Sequence, residues 1–123
     1  MKLRTLVAMT LLSLVLLALL PWAVSADSTQ ELTFTNTTNK KVNDLHVEFG
    51  QAVTPQPPAG PYGPFTGQSG GGTSKVDFKG GTVAAGGSAT ITFTSSANQI
   101  TVKRWWWTLD GRRVGAVQTT TTP

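Results

Sequence analysis

The chain has 123 residues, with ten Lys and Arg against six Asp and Glu, a formal net charge of +4, and no cysteine. That length holds one domain at most, and the missing thiols exclude disulfide staples, Cys-type zinc sites, thiol catalysis and haem attachment through thioether links. The positive charge is no nucleic-acid signal. Lys2 and Arg4 belong to a leader, and the eight remaining basic residues, set against six acids, form no stripe.

The first 26 residues read as a signal peptide. Lys2 and Arg4 give the positive start, and Leu6 to Leu20 is apolar except for Thr10 and Ser13. Pro21 then breaks the helix, and Val24-Ser25-Ala26 supplies the small residues that a signal peptidase needs, so cleavage is expected after Ala26. The alternative is an uncleaved anchor, because Leu6 to Val24 is just long enough to span a bilayer. Cleavage leaves 97 residues, destined for the periplasm or the cell exterior.

Past a polar lead-in, Glu31-Leu32-Thr33-Phe34-Thr35 alternates with Leu32 and Phe34 inward, which predicts a strand. Asn36 to Lys41 is a polar turn, and Asn36-Thr37-Thr38 fits the N-glycosylation acceptor. The next strand starts at Val42 or Asn43, carries Leu45, Val47 and Phe49 inward and Asp44, His46 and Glu48 outward, and is expected to stop at Gly50. Residues 51–73 hold five prolines and six glycines. Lost ladder donors and a high entropy cost of ordering argue against helix or central strand there, so a long loop is expected. Its only aromatics, Tyr62 and Phe65, are placed to pin it to the domain surface.

Order resumes at Lys75–Lys79, with Val76 and Phe78 inward, then at Thr82-Val83 and at Ser88–Thr94, where Ala89, Ile91 and Phe93 alternate with threonines. Gln99–Leu109 is predicted as a long central strand, turned by Asp110-Gly111 into a partner strand, Arg112–Gln118. An Asp-Gly pair supplies the positive φ angles of a type I′ hairpin. Residues 119–123 are expected to fray. The long strand carries a conflict: Ile100 and Val102 share parity with Trp106, whereas the hairpin needs Trp105 and Trp107 inside. A strand changes face only at an inserted residue, so a bulge is predicted at Lys103-Arg104. Without it, Trp106 goes inside and its neighbours are exposed.

Six to seven short strands after a leader, with turns at short intervals and no helical period, predict an all-β, antiparallel sandwich over residues 27–118. The run Val83-Ala84-Ala85-Gly86-Gly87-Ser88-Ala89-Thr90-Ile91-Thr92-Phe93 resembles the glycine turn and alternating threonine strand of secreted immunoglobulin-like and fibronectin-III-like modules. Asn36-Thr37-Thr38 followed by Asp44-Leu45-His46-Val47 is similar to small exported bacterial proteins of uncharacterised type. The resemblance implies an immunoglobulin-like sandwich and carries over no binding residue, because that fold hosts many functions.

Asp44, His46 and Glu48 share one strand face and include the only histidine, which makes them weak candidates for a calcium or zinc site. Polar residues on an outward face are also what any half-buried strand shows. His46 as a base would need a nucleophile, yet no Gly-x-Ser-x-Gly elbow occurs. Gly70-Gly71-Gly72-Thr73 lacks the Gly-Lys-Ser/Thr ending of a phosphate loop. No catalytic residue and no cofactor are therefore assigned.

The tryptophans divide by parity, Trp105 and Trp107 as core and Trp106 as the ring left for contact. Trp106, with Tyr62 or Phe65 from the loop, would stack on a sugar or a partner surface, and Arg104, Arg112 and Arg113 flank it for cation–π contact. The expectation is an exported, non-catalytic protein with a structural or interaction role, its partner another protein or a second copy. A carbohydrate-binding module using exposed aromatics is the alternative, and a metal-dependent enzyme ranks last. Membrane contact is expected only through an uncleaved leader.

Overall fold

The computed structural model describes residues 27–119; the leader with its cleavage position and residues 120–123 lie outside them. Among the described residues there is no helix. Seven strands follow one another: β1 (Ser28–Thr35), β2 (Asp44–Gln56), β3 (Gly67–Ser69), β4 (Thr73–Lys79), β5 (Ser88–Ser95), β6 (Val102–Leu109) and β7 (Arg112–Thr119). Every neighbouring pair is antiparallel.

The strands form two layers that share β2. Its first half pairs with β4 through Leu45–Glu48 and with β6 through Asp44–Phe49, building the sheet β3-β4-β2-β6-β7. Its last residues, Thr54–Gln56, pair with β5, which in turn pairs with β1. Gly50 therefore does not end the strand as expected. The register shifts between Glu48 and Val53, and β2 turns a corner from one layer to the other. Pro55, opposite Phe93, is tolerated because β2 has only β5 beside it in this stretch, so the missing N–H faces no ladder.

The core lies between the layers and comes from the alternation. Leu45, Val47 and Phe49 of β2, Val76 and Phe78 of β4, and Ala89, Ile91 and Phe93 of β5 are all buried. Phe78 and Phe93 meet edge-on across the layers with ring centroids 5.8 Å apart. Each fully buried phenylalanine contributes about 2–3 kcal/mol of apolar transfer. Without a disulfide, this packing holds the domain together.

Tyr62 and Phe65 correct the reading of the loop. They do not lie on the surface but are buried, at 4% and 0% exposure, both packed on Phe78. Their backbones bond reciprocally, Tyr62 N–H to Phe65 O and Phe65 N–H to Tyr62 O, and the Tyr62 hydroxyl donates to Pro58 O at 2.6 Å. The two rings, the reciprocal backbone bonds and the Tyr62 hydroxyl bond together offset part of the cost of ordering this proline- and glycine-rich segment. Thr82-Val83 forms only a single bridge, Val83 to Val42, rather than a strand.

The bulge in β6 falls where the parity demanded it. Glu48 faces Arg104 and Phe49 faces Val102, which leaves Lys103 as the extra residue. Val102 and Trp105, three apart, consequently both pack against the core, and Trp107 is buried within it. The turn has Asp110 at φ 51° and Gly111 at φ 83°, the pair of left-handed residues of a type I′ hairpin. Asn43, the residue before β2, secures it: its amide donates to Asp110 Oδ1 at 3.0 Å and its Oδ1 accepts from Asp110 N–H at 3.1 Å.

Candidate binding groove on the outer face

The outer face of the five-stranded sheet is set by three cross-strand rows. Asp77, His46 and Trp106 lie side by side; Lys75, Glu48 and Arg104 form the next row; Asp44, Thr108 and Arg113 form the third. Alternation on β2 and β6 places these side chains outward because their neighbours fill the core.

Trp106 faces no regular partner on β7. Trp105 opposes Gln118 and Trp107 opposes Val114, so one residue of β6 spans three of β7, Gly115 to Val117. Gly115 has φ 79°, and a Cβ there would come within 2.7 Å of the Thr38 methyl, so glycine is required both by its backbone and by the close approach. No sequence signal other than Gly115 announces this second bulge. It opens a shallow groove of about 650 Å³ lined by Glu48, Arg104, Trp106, Thr108, Gly111, Arg113, Gly115 and Val117.

One face of the Trp106 ring is covered by His46, with centroids 5.4 Å apart and planes 15° from parallel. The expected arginine cover is absent among the described residues; the stacked partner is imidazole. His46 is itself held at both nitrogens, Nδ1 to Asp77 Oδ1 at 2.7 Å and Nε2 to Thr108 Oγ1 at 2.9 Å. Thr108 has one hydroxyl proton and two acceptors in reach, the ring nitrogen and Asp44 Oδ2 at 3.3 Å. A carboxylate–imidazole–hydroxyl chain thus exists, with Asp77 rather than Asp44 or Glu48 beside the imidazole. Its hydroxyl belongs to a threonine only 6% exposed. The chain holds the His46 ring in place against Trp106.

Glu48 accepts from Arg104 Nε at 2.6 Å, so of the three candidate metal ligands one is ion-paired and another has both ring nitrogens engaged. Among the described residues no group of three or more His, Cys, Asp or Glu side chains is gathered to hold a metal ion.

Of the residues predicted to bind, Arg104 and Trp106 meet in the groove, while Tyr62 and Phe65 lie in the core behind the sheet. Arg112 opposes Leu109 and is not among the lining residues; Arg113, opposite Thr108, is. Hairpin parity decides between them, since only the partner of an outward residue points outward.

His46→Ala is expected to lower stability by about 2 kcal/mol, from two lost hydrogen bonds and a lost ring stack. Asp77→Asn, which keeps a hydrogen-bonding oxygen at an exposed pair, should cost under about 1 kcal/mol. Urea unfolding measures both, and iodide quenching of tryptophan emission should rise only in His46→Ala.

Asn36, the first residue of the Asn36-Thr37-Thr38 acceptor match, is the other polar side chain with a large structural role. It is fully buried. Its amide donates to Lys40 O at 2.7 Å and to Val83 O and Ala84 O at 3.2 Å, while Oδ1 accepts from Thr38 N–H at 3.0 Å and Thr38 Oγ1 at 2.6 Å. A nitrogen committed to three carbonyls inside the turn has no room for a glycan.

Compared with protein-family models, curated proteins and solved structures, the chain gives no match. The described residues form an all-β, antiparallel sandwich, with a groove on its larger sheet lined by an aromatic ring and two arginines.

Proposed function

We propose that this protein is an exported, non-catalytic module of immunoglobulin-like layering that acts at the cell exterior by binding a protein partner through the Trp106 groove. One observation carries the reading. A half-buried tryptophan, stacked on His46, lines a groove together with Arg104 and Arg113. Tryptophan and arginine in a partly dry depression with a polar rim are what concentrate binding energy at protein interfaces. Export is supported by the leader, with its basic start, apolar run and Val24-Ser25-Ala26 ending.

The non-catalytic part of the reading is supported by the side-chain partners that engage both His46 nitrogens. Glycan binding is the second reading, favoured by the flat ring of Trp106 beside hydrogen-bonding groups. It ranks below because Tyr62 and Phe65 are buried, which leaves a single ring where a sugar chain would be gripped by several.

The test is binding of the labelled purified protein to intact producing cells and to protease-treated cells. Wild type should bind and lose its sites after proteolysis. Trp106→Ala should weaken binding about tenfold or more while remaining folded. Undiminished binding of Trp106→Ala overturns the groove as the site, and binding that survives proteolysis but is competed by cell-surface glycans favours the second reading. N-terminal sequencing of secreted material should start at Asp27.

A further inference from the structure

The two sheets present four strand edges, and three of them are blunted. β3 is three residues long, β7 is broken by its bulge at Gly115–Val117, and the end of β2 carries Pro55. These are the usual defences against edge-to-edge association. β1 has none. It contains no proline, lysine or bulge, its eight residues pair with β5 in unbroken register from Ser28–Ser95 to Thr35–Ser88, and among the described residues β5 is its only neighbour strand.

The free backbone groups of β1 can be assigned. Asn36 N–H donates to Gly87 O, so residues of its parity bond toward β5. In an antiparallel ladder this alternates every second residue, and Thr29, Glu31, Thr33 and Thr35 therefore direct their N–H and C=O groups to the open side. The geometry points to this edge as a self-association site that pairs antiparallel with β1 of a second copy of the same chain.

The sequence of β1 is self-complementary in one register, centred on Leu32. Thr29 then faces Thr35 of the second copy and Glu31 faces Thr33, so the only charge on the strand never meets itself. Four hydrogen-bonded pairs give about eight inter-chain bonds. Leu32 shares the inward face with Phe34, yet it is only half-buried where Phe34 is 3% exposed. At the two-fold axis it would lie against the second copy's Leu32 in a non-hydrogen-bonded pair, where side chains approach most closely. The threonine ladder of the outer face, in which Thr33 bonds Thr90 and Thr35 bonds Ser88, each at 2.9 Å, would run on across the axis.

Sedimentation equilibrium of the purified protein tests this, with a reversible dimer expected at a Kd on the order of 10–100 µM for an interface about one strand wide. Two exposed variants read the register. Thr33→Lys places a positive charge opposite Glu31 twice and should tighten the dimer about fivefold, whereas Thr33→Glu places like charges there and should weaken it about fivefold. Circular dichroism confirms that both remain folded. A protein that stays monomeric to about 500 µM, or two variants that shift Kd in the same direction, overturns the proposal. Trp106 lies on the other sheet, so Trp106→Ala should leave the dimer untouched, and failure of either proposal is read separately.

Discussion

Replacing Asn36 by aspartate should destabilise the protein by about 4 kcal/mol, more than replacing it by alanine, at about 3 kcal/mol. The order is the informative part, because aspartate matches asparagine in shape. The native amide nitrogen faces the carbonyl oxygens of Lys40, Val83 and Ala84, and the side chain is wholly buried. A carboxylate oxygen placed there would confront three acceptors with no proton to share. Alanine leaves those carbonyls short of a partner but adds no charge. Against a total stability of about 5–15 kcal/mol, either change is severe.

The sign with pH follows from the same contacts. Burial opposite carbonyls raises the folded-state pKa of the introduced carboxyl above its unfolded value, so the Asn36→Asp deficit should shrink on acidification and grow as pH rises through that raised value. Urea titrations at several pH values measure it. A pH-independent deficit, or alanine worse than aspartate, would show that the amide nitrogen is not the group that matters.

Deletion of Lys103 should abolish the native fold, whereas Lys103→Ala, at an exposed position, should change stability by no more than about 0.5 kcal/mol. Lys103 is the inserted residue that lets Val102 on one parity and Trp105 and Trp107 on the other all face the core. Without it the β6 register straightens. Either the two core tryptophans turn outward with Trp106 taking their place, or everything before the bulge turns outward instead. Trp107 is 3% exposed, and Trp105 contacts both it and Phe34, with centroids 5.8 and 5.2 Å away. Losing one such aromatic from a core costs about 3–5 kcal/mol. Losing two, at about 6–10 kcal/mol, removes most or all of the roughly 5–15 kcal/mol that holds a domain folded. Near-ultraviolet circular dichroism and thermal unfolding distinguish the two variants, and a cooperative, native-like melt for the deletion would refute the role given to the bulge.

Much of this was legible in the chain because it is local. Alternation over Leu45, Val47 and Phe49, over Val76 and Phe78, and over Ala89, Ile91 and Phe93 names the inward face without reference to a partner strand. The Asp110-Gly111 turn follows from two adjacent residues that tolerate positive φ. The bulge at Lys103 needed only a contradiction in parity within one strand. Glycine and proline counts misled over residues 51–73, where they record what a segment cannot do easily, while burial of Tyr62 and Phe65 depends on an aromatic cluster built by Phe78 from elsewhere.

The sequence by itself thus determined an all-β chain, the faces of its regular strands, the hairpin and the place where β6 must bulge, since each rests on the two-residue period of a strand or on φ preference. Tertiary structure alone decided what depends on partners far apart in the chain. Asp77, 31 residues from His46, became its hydrogen-bond partner. Asn36, a surface turn residue by its neighbours, became a buried organiser because Val83 and Ala84 close over it. The β7 bulge, invisible apart from one glycine, opened the groove that Trp106 lines, and among the described residues the unbroken pairing of β1 with β5 alone made it a regular edge strand. Pairing partners are chosen by the whole packed sheet, and no local pattern encodes that choice.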